Sequence, residues 1–516
     1  MQRGIEYALT TLLVANIFMT PPGFIELMKN DVGGLFQFTR SSFNVWPNIF
    51  ALLGETRPGT IPKIIFLTGN PLNFAVVILG VFSLITRMRT ENQKRTLFIR
   101  YVPIVIFIVT ALSLSLGAER FALFLITPFA IFAALGIEIL LSFLIKLFSE
   151  IKIGVNRWVK PILCGVVAIV FCGSSFVYAY ASTLNLKPIM NRTWYNVLKE
   201  ISERTPENAI VNSWWDPGYF IVSIAERRAT SDGGTPHYHQ NYWMARALTT
   251  DDETKAAGIL RMLNTSANLA TDLAETKLDS EESVQLISNI IPLERGEAKK
   301  ILRRHFNQDE SEQILELIHG SHAPPPSYLF LYNQIIEMNA ALTIVANWDF
   351  GRAKAMRRLG KSQELGDYFH KIMAISGDVW RYNPEAFFLK KEGDKVFFTN
   401  GVSIDMTTLD TMIDLPKEKV HEHPRSLFYV ENGKFLEKKF EDSTLDVACL
   451  LIRTSDKVST VLANPNLIKS MLFRLYYLNG EGLKIFQPFT DRSDADTQTT
   501  LRVFKIDWDK LKEHDV

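Results

Sequence analysis

Long apolar runs in the first third of the chain constrain its fold more than any other feature. A helix that crosses a bilayer needs about 20 mostly apolar residues. The runs Ile64 to Thr86, Leu97 to Leu116, Phe121 to Phe148 and Pro161 to Thr183 meet that requirement. A weaker run, Ile5 to Met19, stops at Pro21-Pro22. It lacks a clear basic start and a small-residue cleavage site, so it reads as the end of a transmembrane helix rather than as a signal peptide. One such run could be the core helix of a soluble domain. A succession of them predicts a membrane region of four to five transmembrane helices over residues 1–183.

Charge orients these helices. Arg87, Arg89, Lys94, Arg95 and Arg100 lie between the first and second strong runs, and Lys146, Lys152, Arg157 and Lys160 between the third and fourth. Basic residues gather on the cytoplasmic side. The segment before Ile64, the turn Gly117-Ala118-Glu119-Arg120 and everything after Thr183 are therefore expected outside. Glu138, the one acid inside a run, stands about 27 Å down a helix from Arg120, where a headgroup-level acid is the simpler reading.

Composition matters mainly through its asymmetry. The 516 residues average 47% apolar and 22% charged, with a formal net charge of +1, and nothing global points to nucleic acid. Cys164, Cys172 and Cys449 form neither a disulfide framework nor a zinc spacing, and read as small hydrophobes. Beyond Thr183 the chain is mixed and charged. Residues 184–380 read as a mainly helical extracytoplasmic domain, with helical spacing and acidic starts in Asp251 to Leu263, Glu281 to Ile291 and Ser311 to Ile318. Residues 381–516 read as a β-rich subdomain. Ala386 to Leu389 and Lys395 to Thr399 flank Gly393, and Ser426 to Val430 and Lys434 to Leu436 flank the hairpin signal Asn432-Gly433. The expected fold is thus a helical membrane region followed by a mixed α/β domain with a β-rich C-terminal part.

The most unusual string in the outer part is Asn212-Ser213-Trp214-Trp215-Asp216-Pro217-Gly218-Tyr219. Adjacent tryptophans, an acid and a Pro-Gly turn predict a rigid loop. An indole N–H can only donate and an ionised Asp can only accept, so together they could hold a small hydroxyl. Read from spacing alone, the string is equally a buried aromatic turn with a capping Asp.

Trp214-Trp215-Asp216-Pro217-Gly218 resembles the WWDxG signature of oligosaccharyltransferase catalytic subunits, with Pro217 at the variable position. That resemblance implies that Trp214, Trp215 and Asp216 bind the Ser or Thr of an acceptor sequon, Asn-x-Ser/Thr. Asp232-Gly233-Gly234 followed by His237 is similar to the segment near the metal and pyrophosphate in bacterial members. Val45-Trp46-Pro47-Asn48-Ile49 and Leu52-Leu53-Gly54-Glu55 resemble the external loop with the S/T-V/I-x-E motif, although Leu52 replaces the hydroxyl residue. Gly117-Ala118-Glu119-Arg120-Phe121 is similar to the family's Arg-Phe turn, and an Arg fork suits phosphate oxygens. Glu119, next to Arg120, is expected to pair with it.

The implied roles are Glu55 and Arg120 as catalytic residues, Glu55 and His237 as metal ligands, and Arg120, His237 and Tyr219 at the lipid pyrophosphate. Tyr328 to Asp349 stands where the family has its DK or MI motif, with Ile335, Ile336 and Met338 as candidates. Leu475-Tyr476-Tyr477-Leu478-Asn479-Gly480 and Val503 to Trp508 are also similar to bacterial members.

The implied reaction is an inverting displacement at the anomeric carbon of a polyprenyl-pyrophosphate-linked oligosaccharide by the amide nitrogen of an acceptor Asn. Mg²⁺ or Mn²⁺, both takers of hard oxygen ligands, would offset the leaving charge. The implied location is the bacterial inner membrane, multi-pass, with the C-terminal domain periplasmic. The chain reads as the C-terminal half of such an enzyme, beginning near a ninth span, with an N-terminal half as a further partner. The competing reading is a non-catalytic sequon-binding membrane protein, or half of a split enzyme without independent activity.

Overall fold

The computed structural model describes residues 45–47, 59–68, 70–90, 94–117, 119–150, 158–184, 188, 190–233, 238–358, 382–415, 420–454 and 457–514. The chain divides into two compact units. One comprises Met1–Ser42 and Phe50–Pro188, the other Phe43–Ile49 and Ile189–Val516.

The first unit is helical. Its helices are Ile61–Thr68, Pro71–Thr90, Lys94–Gly117, Ile126–Glu150 and Val159–Thr183, with a 3₁₀ turn Glu119–Leu125 leading into the fourth. Among the described residues two stretches are long and apolar enough to cross a membrane, Glu119–Glu150 and Pro161–Thr183. The apolar parts Pro71–Thr86 and Ile106–Leu116 are shorter, and two of the expected four to five spans stand among the described residues. The run Ile64 to Thr86 is not one helix. Asn70 Oδ1 accepts from the Asn73 N–H at 2.9 Å, and Pro71 opens a new helix at the position where its missing N–H costs nothing. The weaker run Ile5 to Met19 lies outside the described residues. The second and fourth helices cross closely: a Cβ at Gly80 would lie 1.9 Å from the Phe132 carbonyl oxygen, and one at Gly136 2.0 Å from that of Val76. Close approach through small residues is how apolar helices gain packing contacts without a hydrophobic driving force.

The second unit is mixed α/β. Strands β1 (Ile210–Asn212), β2 (Arg228–Ala229) and β3 (Ser327–Tyr332) are parallel, with β1 in the middle. Strands β4 (Tyr382–Glu392), β5 (Lys395–Phe398), β6 (Val402–Asp405), β7 (Thr411–Leu415), β8 (Val420–Glu422), β9 (Ser426–Glu431), β10 (Lys434–Lys439), β11 (Ala448–Arg453) and β12 (Val458–Ala463) build a second sheet in the order β10-β9-β11-β12-β4-β5-β6-β7-β8. Strands β13 (Phe486–Asp494) and β14 (Thr499–Ile506) return to the first sheet, giving β13-β14-β3-β1-β2. The first sheet therefore draws strands from both sides of residue 380.

Local signals explain many of these elements. Helix Glu253–Ser266 starts on the Asp252 side chain, which accepts from the Lys255 N–H. Helices Ser280–Ile290 and Gln308–His319 start on full capping boxes built by Asp279 with Glu282 and by Asn307 with Glu310, each satisfying orphan N–H groups at both ends of the box. The β9–β10 hairpin turns on Asn432 and Gly433, with φ of 50° and 70°, the left-handed pair that a two-residue hairpin requires. Inside the second sheet Ile404, Ile413, Leu427, Cys449 and Leu451 form a buried core, and Cys449 is the small hydrophobe expected of it.

Candidate functional site

Strand β1 runs straight into the tryptophan pair. Three side chains extend its ladder. Asn212 Nδ2 donates to the Tyr328 carbonyl at 3.1 Å, Ser213 Oγ donates to the Phe330 carbonyl at 3.1 Å, and Thr230 Oγ donates to Asn212 Oδ1 at 2.6 Å. The loop that follows thus leaves a fixed platform at the carboxyl end of a central parallel strand. In open α/β sheets that end is where ligands bind. The Gly218 N–H closes the turn on the Trp215 carbonyl at 3.1 Å. A Cβ on Gly218 would stand 2.3 Å from the Ser231 carbonyl oxygen and 2.5 Å from Asp232 Cβ, so only glycine lets the two loops touch. Gly233 lies under Tyr219 and Trp215: a Cβ there would meet the Tyr219 ring at 2.9 Å and the Trp215 ring at 3.7 Å. Two sequence motifs that stand apart in the chain, the tryptophan string and Asp232-Gly233, are therefore one local structure.

Within it, Trp214 is almost fully buried, Trp215 and Asp216 are half-buried, and Tyr219 is exposed. Asp216 is the chemically distinctive group. Burial pushes its carboxyl up to about 6, against a smaller opposing effect of a hydrogen bond from Tyr332. The Tyr332 hydroxyl donates to Asp216 Oδ2 at 2.8 Å. Burial and the neighbouring Asp216 carboxylate hold the Tyr332 phenol well above its ordinary range, so it remains a donor. Among the described residues Asp216 takes this one hydrogen bond, which leaves lone pairs for a second donor. Tyr332 was not singled out by sequence. It ends the apolar string Ser327-Tyr328-Leu329-Phe330-Leu331-Tyr332, where a phenol at a strand's end is a weak signal. The parallel pairing of β3 with β1 brings it to Asp216.

The other expected residues are placed as follows. Ile335 and Ile336 are 0% and 1% exposed. They sit in the short helix Asn333–Glu337, which packs against β3 and β14. Met338, at the helix end, remains partly exposed. Arg120 is exposed on the 3₁₀ turn of the first unit. Beside it Glu119 is buried, with Lys63 Nζ at 2.5 Å; the ion pair seen is therefore with Lys63. The Gly59 N–H donates to the Leu116 carbonyl at 3.1 Å, at the foot of that turn. Glu55 and His237 themselves lie outside the described residues. Among the described residues no three His, Cys, Asp or Glu side chains converge to hold a metal ion.

Comparison with known proteins follows the same residues. Residues 207–352 match the family model described as the STT3/PglB/AglB core domain. A dolichyl-phosphooligosaccharide-protein glycotransferase of Methanococcus voltae is 27% identical over 359 residues, covering 62% of this chain and 38% of the relative. One of Methanocaldococcus jannaschii is 24% identical over 347 residues, covering 63% and 35%. The chain thus matches little more than a third of the length of these relatives. The crystal structure of the C. jejuni PglB C-terminal domain overlaps 61% of this chain and 99% of that domain at 13% identity, with a TM-score of 0.34.

Proposed function

We propose that this chain, whose residues 207–352 match an oligosaccharyltransferase core domain, takes part in N-linked glycosylation, the transfer of a glycan from a polyprenyl-pyrophosphate donor to the Asn of an Asn-x-Ser/Thr sequon. It does so as a multi-pass membrane protein with the tryptophan loop outside. One observation carries the reading. Asp216 is a half-buried acceptor beside Trp215, at the end of a central parallel strand, oriented by the Tyr332 hydroxyl on one oxygen. Such a group takes a hydrogen bond from a Ser or Thr hydroxyl seated against the indole, which fixes the residue two places after the acceptor Asn.

Arg120 is proposed to face the lipid pyrophosphate, a match of guanidinium fork to phosphate oxygens, with Tyr219 and His237 contributing from the tryptophan side. Glu55 is proposed to accept from the acceptor amide, drawing its nitrogen lone pair out of conjugation. Glu55 and His237 are further proposed to hold Mg²⁺ or Mn²⁺, whose charge would offset that of the leaving pyrophosphate.

The test is a titration of detergent-solubilised protein with a labelled Asn-x-Thr peptide and its Asn-x-Ala twin. A desolvated site built for a hydroxyl loses about 1–3 kcal/mol when its partner is removed. The threonine peptide should bind roughly 5- to 150-fold tighter, and equal affinities would remove the sequon assignment.

A further inference from the structure

A cavity of about 800 Å³ opens in the second unit, lined from helices Tyr238–Thr249, Glu253–Ser266, Asn339–Ala346 and Pro465–Lys469 and the turns beside them. Its size falls within the range of about 300–1,000 Å³ usual for small-molecule sites. It shares no lining residue with the tryptophan loop, with Asp232-Gly233 or with Tyr332.

Two of the helices bring positive charge. Arg246 and Lys255 line the cavity, and both are half-buried. Among the described residues Arg246 makes one long bond, from Nη1 to the Ala346 carbonyl at 3.4 Å, and Lys255 Nζ takes no hydrogen bond or salt bridge. Asp446 is the one acid among the described lining residues, and its carboxylate is turned to Arg425 at 2.9 Å. Burial, then the neighbouring Arg246 charge, hold the Lys255 ammonium below its ordinary range, against the opposing pull of Asp252 and Asp251. Two cations thus share one cavity, and neither has a carboxylate within it as partner. An anion seated between them would relieve both the repulsion and the lost hydration.

The helix Asn339–Ala346 supplies the complement. Asn339, Thr343 and Asn347 recur at every fourth position, which places them on one face. Each donates to the backbone of its own turn. Asn339 Nδ2 donates to the Ile336 carbonyl at 2.6 Å, Thr343 Oγ1 to the Asn339 carbonyl at 2.8 Å and Asn347 Nδ2 to the Thr343 carbonyl at 2.9 Å. What these side chains keep for the cavity is mainly acceptor capacity, in the amide oxygens and the hydroxyl lone pairs. Lysine and arginine heads can only donate. The lining therefore suits a ligand that is an anion at one end and a set of hydroxyl donors along the rest.

We propose that this cavity binds a monosaccharide unit carrying one anionic group, a carboxylate or a phosphate. Arg246 and Lys255 take the anion, the guanidinium by its planar fork, and Asn339, Thr343 and Asn347 accept from the ring hydroxyls. The site is separate from the sequon pocket proposed above and does not rest on it.

Calorimetric titration of the full chain tests this, in a polyoxyethylene detergent that brings no sugar of its own. The probes are glucuronate, glucose 6-phosphate, glucose and inorganic phosphate. At least one anionic sugar should bind about 10-fold or more tighter than glucose, since hydrogen bonds to charged groups are the strong ones, and the tighter of the two identifies the anion. Lys255→Met keeps the aliphatic stem and should weaken that probe by about 10-fold, and Lys255→Arg should restore most of it. Thr343→Val, at an exposed position, reads the hydroxyl side independently. It should weaken the anionic sugar by about 3-fold and leave inorganic phosphate unchanged. Glucose binding as tightly as both anionic sugars would overturn the proposal. So would inorganic phosphate binding as tightly as they do, because that is a simple anion site, and so would anionic-sugar affinity unchanged in both Lys255→Met and Thr343→Val.

Discussion

Asp216 concentrates the chemistry of the site in one ionisation. Burial raises its carboxyl to about 6, so near pH 5 the group is mostly protonated and near pH 7.5 it is an anion. A hydroxyl donor needs the anion's lone pairs. Affinity for an Asn-x-Thr peptide should therefore rise with pH through a midpoint near 6, and Asp216→Asn should bind weakly and flatly. A wild-type affinity that stays constant from pH 5 to 7.5 would contradict this. The Tyr332 hydrogen bond opposes the effect of burial, so Tyr332→Phe should move the midpoint upward while leaving the fold intact. The sign for stability is opposite to that for binding. The folded carboxyl is raised above 3.8, so its ionisation subtracts from stability as pH climbs from about 4 through about 6. The tryptophan-acid string was legible as a hydroxyl-binding candidate from residue chemistry alone. Its partner Tyr332 was not, because a phenol 116 positions away enters the site only through strand pairing.

The strand-to-loop junction after β1 is the element on which the site depends. It works because Gly218 lets the Trp215–Tyr219 loop lie on Ser231 and Asp232. Gly218→Ala would put a methyl 2.3 Å from a backbone oxygen, a contact that must be relieved by moving one loop. Overpacking of this kind costs about 1–3 kcal/mol, which a thermal or denaturant melt would register. Peptide affinity should fall with it, since Trp215 and Asp216 ride on the shifted loop. A variant that melts like the parent and binds like it would show that the two loops are not coupled. At this scale local chemistry predicted well where a turn dominates, as at the Asn432-Gly433 hairpin, and the helices expected at Asp251 to Leu263, Glu281 to Ile291 and Ser311 to Ile318 are found as Glu253–Ser266, Ser280–Ile290 and Gln308–His319. Short strands among the helices carry no such signal. The region up to residue 380 reads as mainly helical, yet β1, β2 and β3 run through it. Their three, two and six residues are too brief to show a period, and parallel strands buried on both faces do not alternate.

At the scale of the whole molecule, charge placement predicts a sidedness that labelling can read. In a chain with Cys164, Cys172 and Cys449 replaced by Ala, a single cysteine between Arg87 and Arg100 should resist an impermeant thiol reagent on intact cells. One at Asn432 should react. The reverse pattern would place the tryptophan loop in the cytoplasm and defeat the glycosylation reading. Residue pattern alone marks the division into an apolar helical part and a mixed α/β part with a strand-rich end, because burial in lipid and burial in a sheet demand different residue patterns over short windows. It also determined which residues could carry chemistry, since side-chain type limits what can donate, accept or pair. Which of them meet is set by how the folded chain packs. The union of the Trp214–Gly218 loop with Asp232-Gly233, the bond from Tyr332 to Asp216, the burial of Ile335 and Ile336, and the pairing of Glu119 with Lys63 all join residues whose separation in sequence carries no signal of contact. Strand order and helix packing bring them together, and those follow from how the whole chain buries its apolar surface.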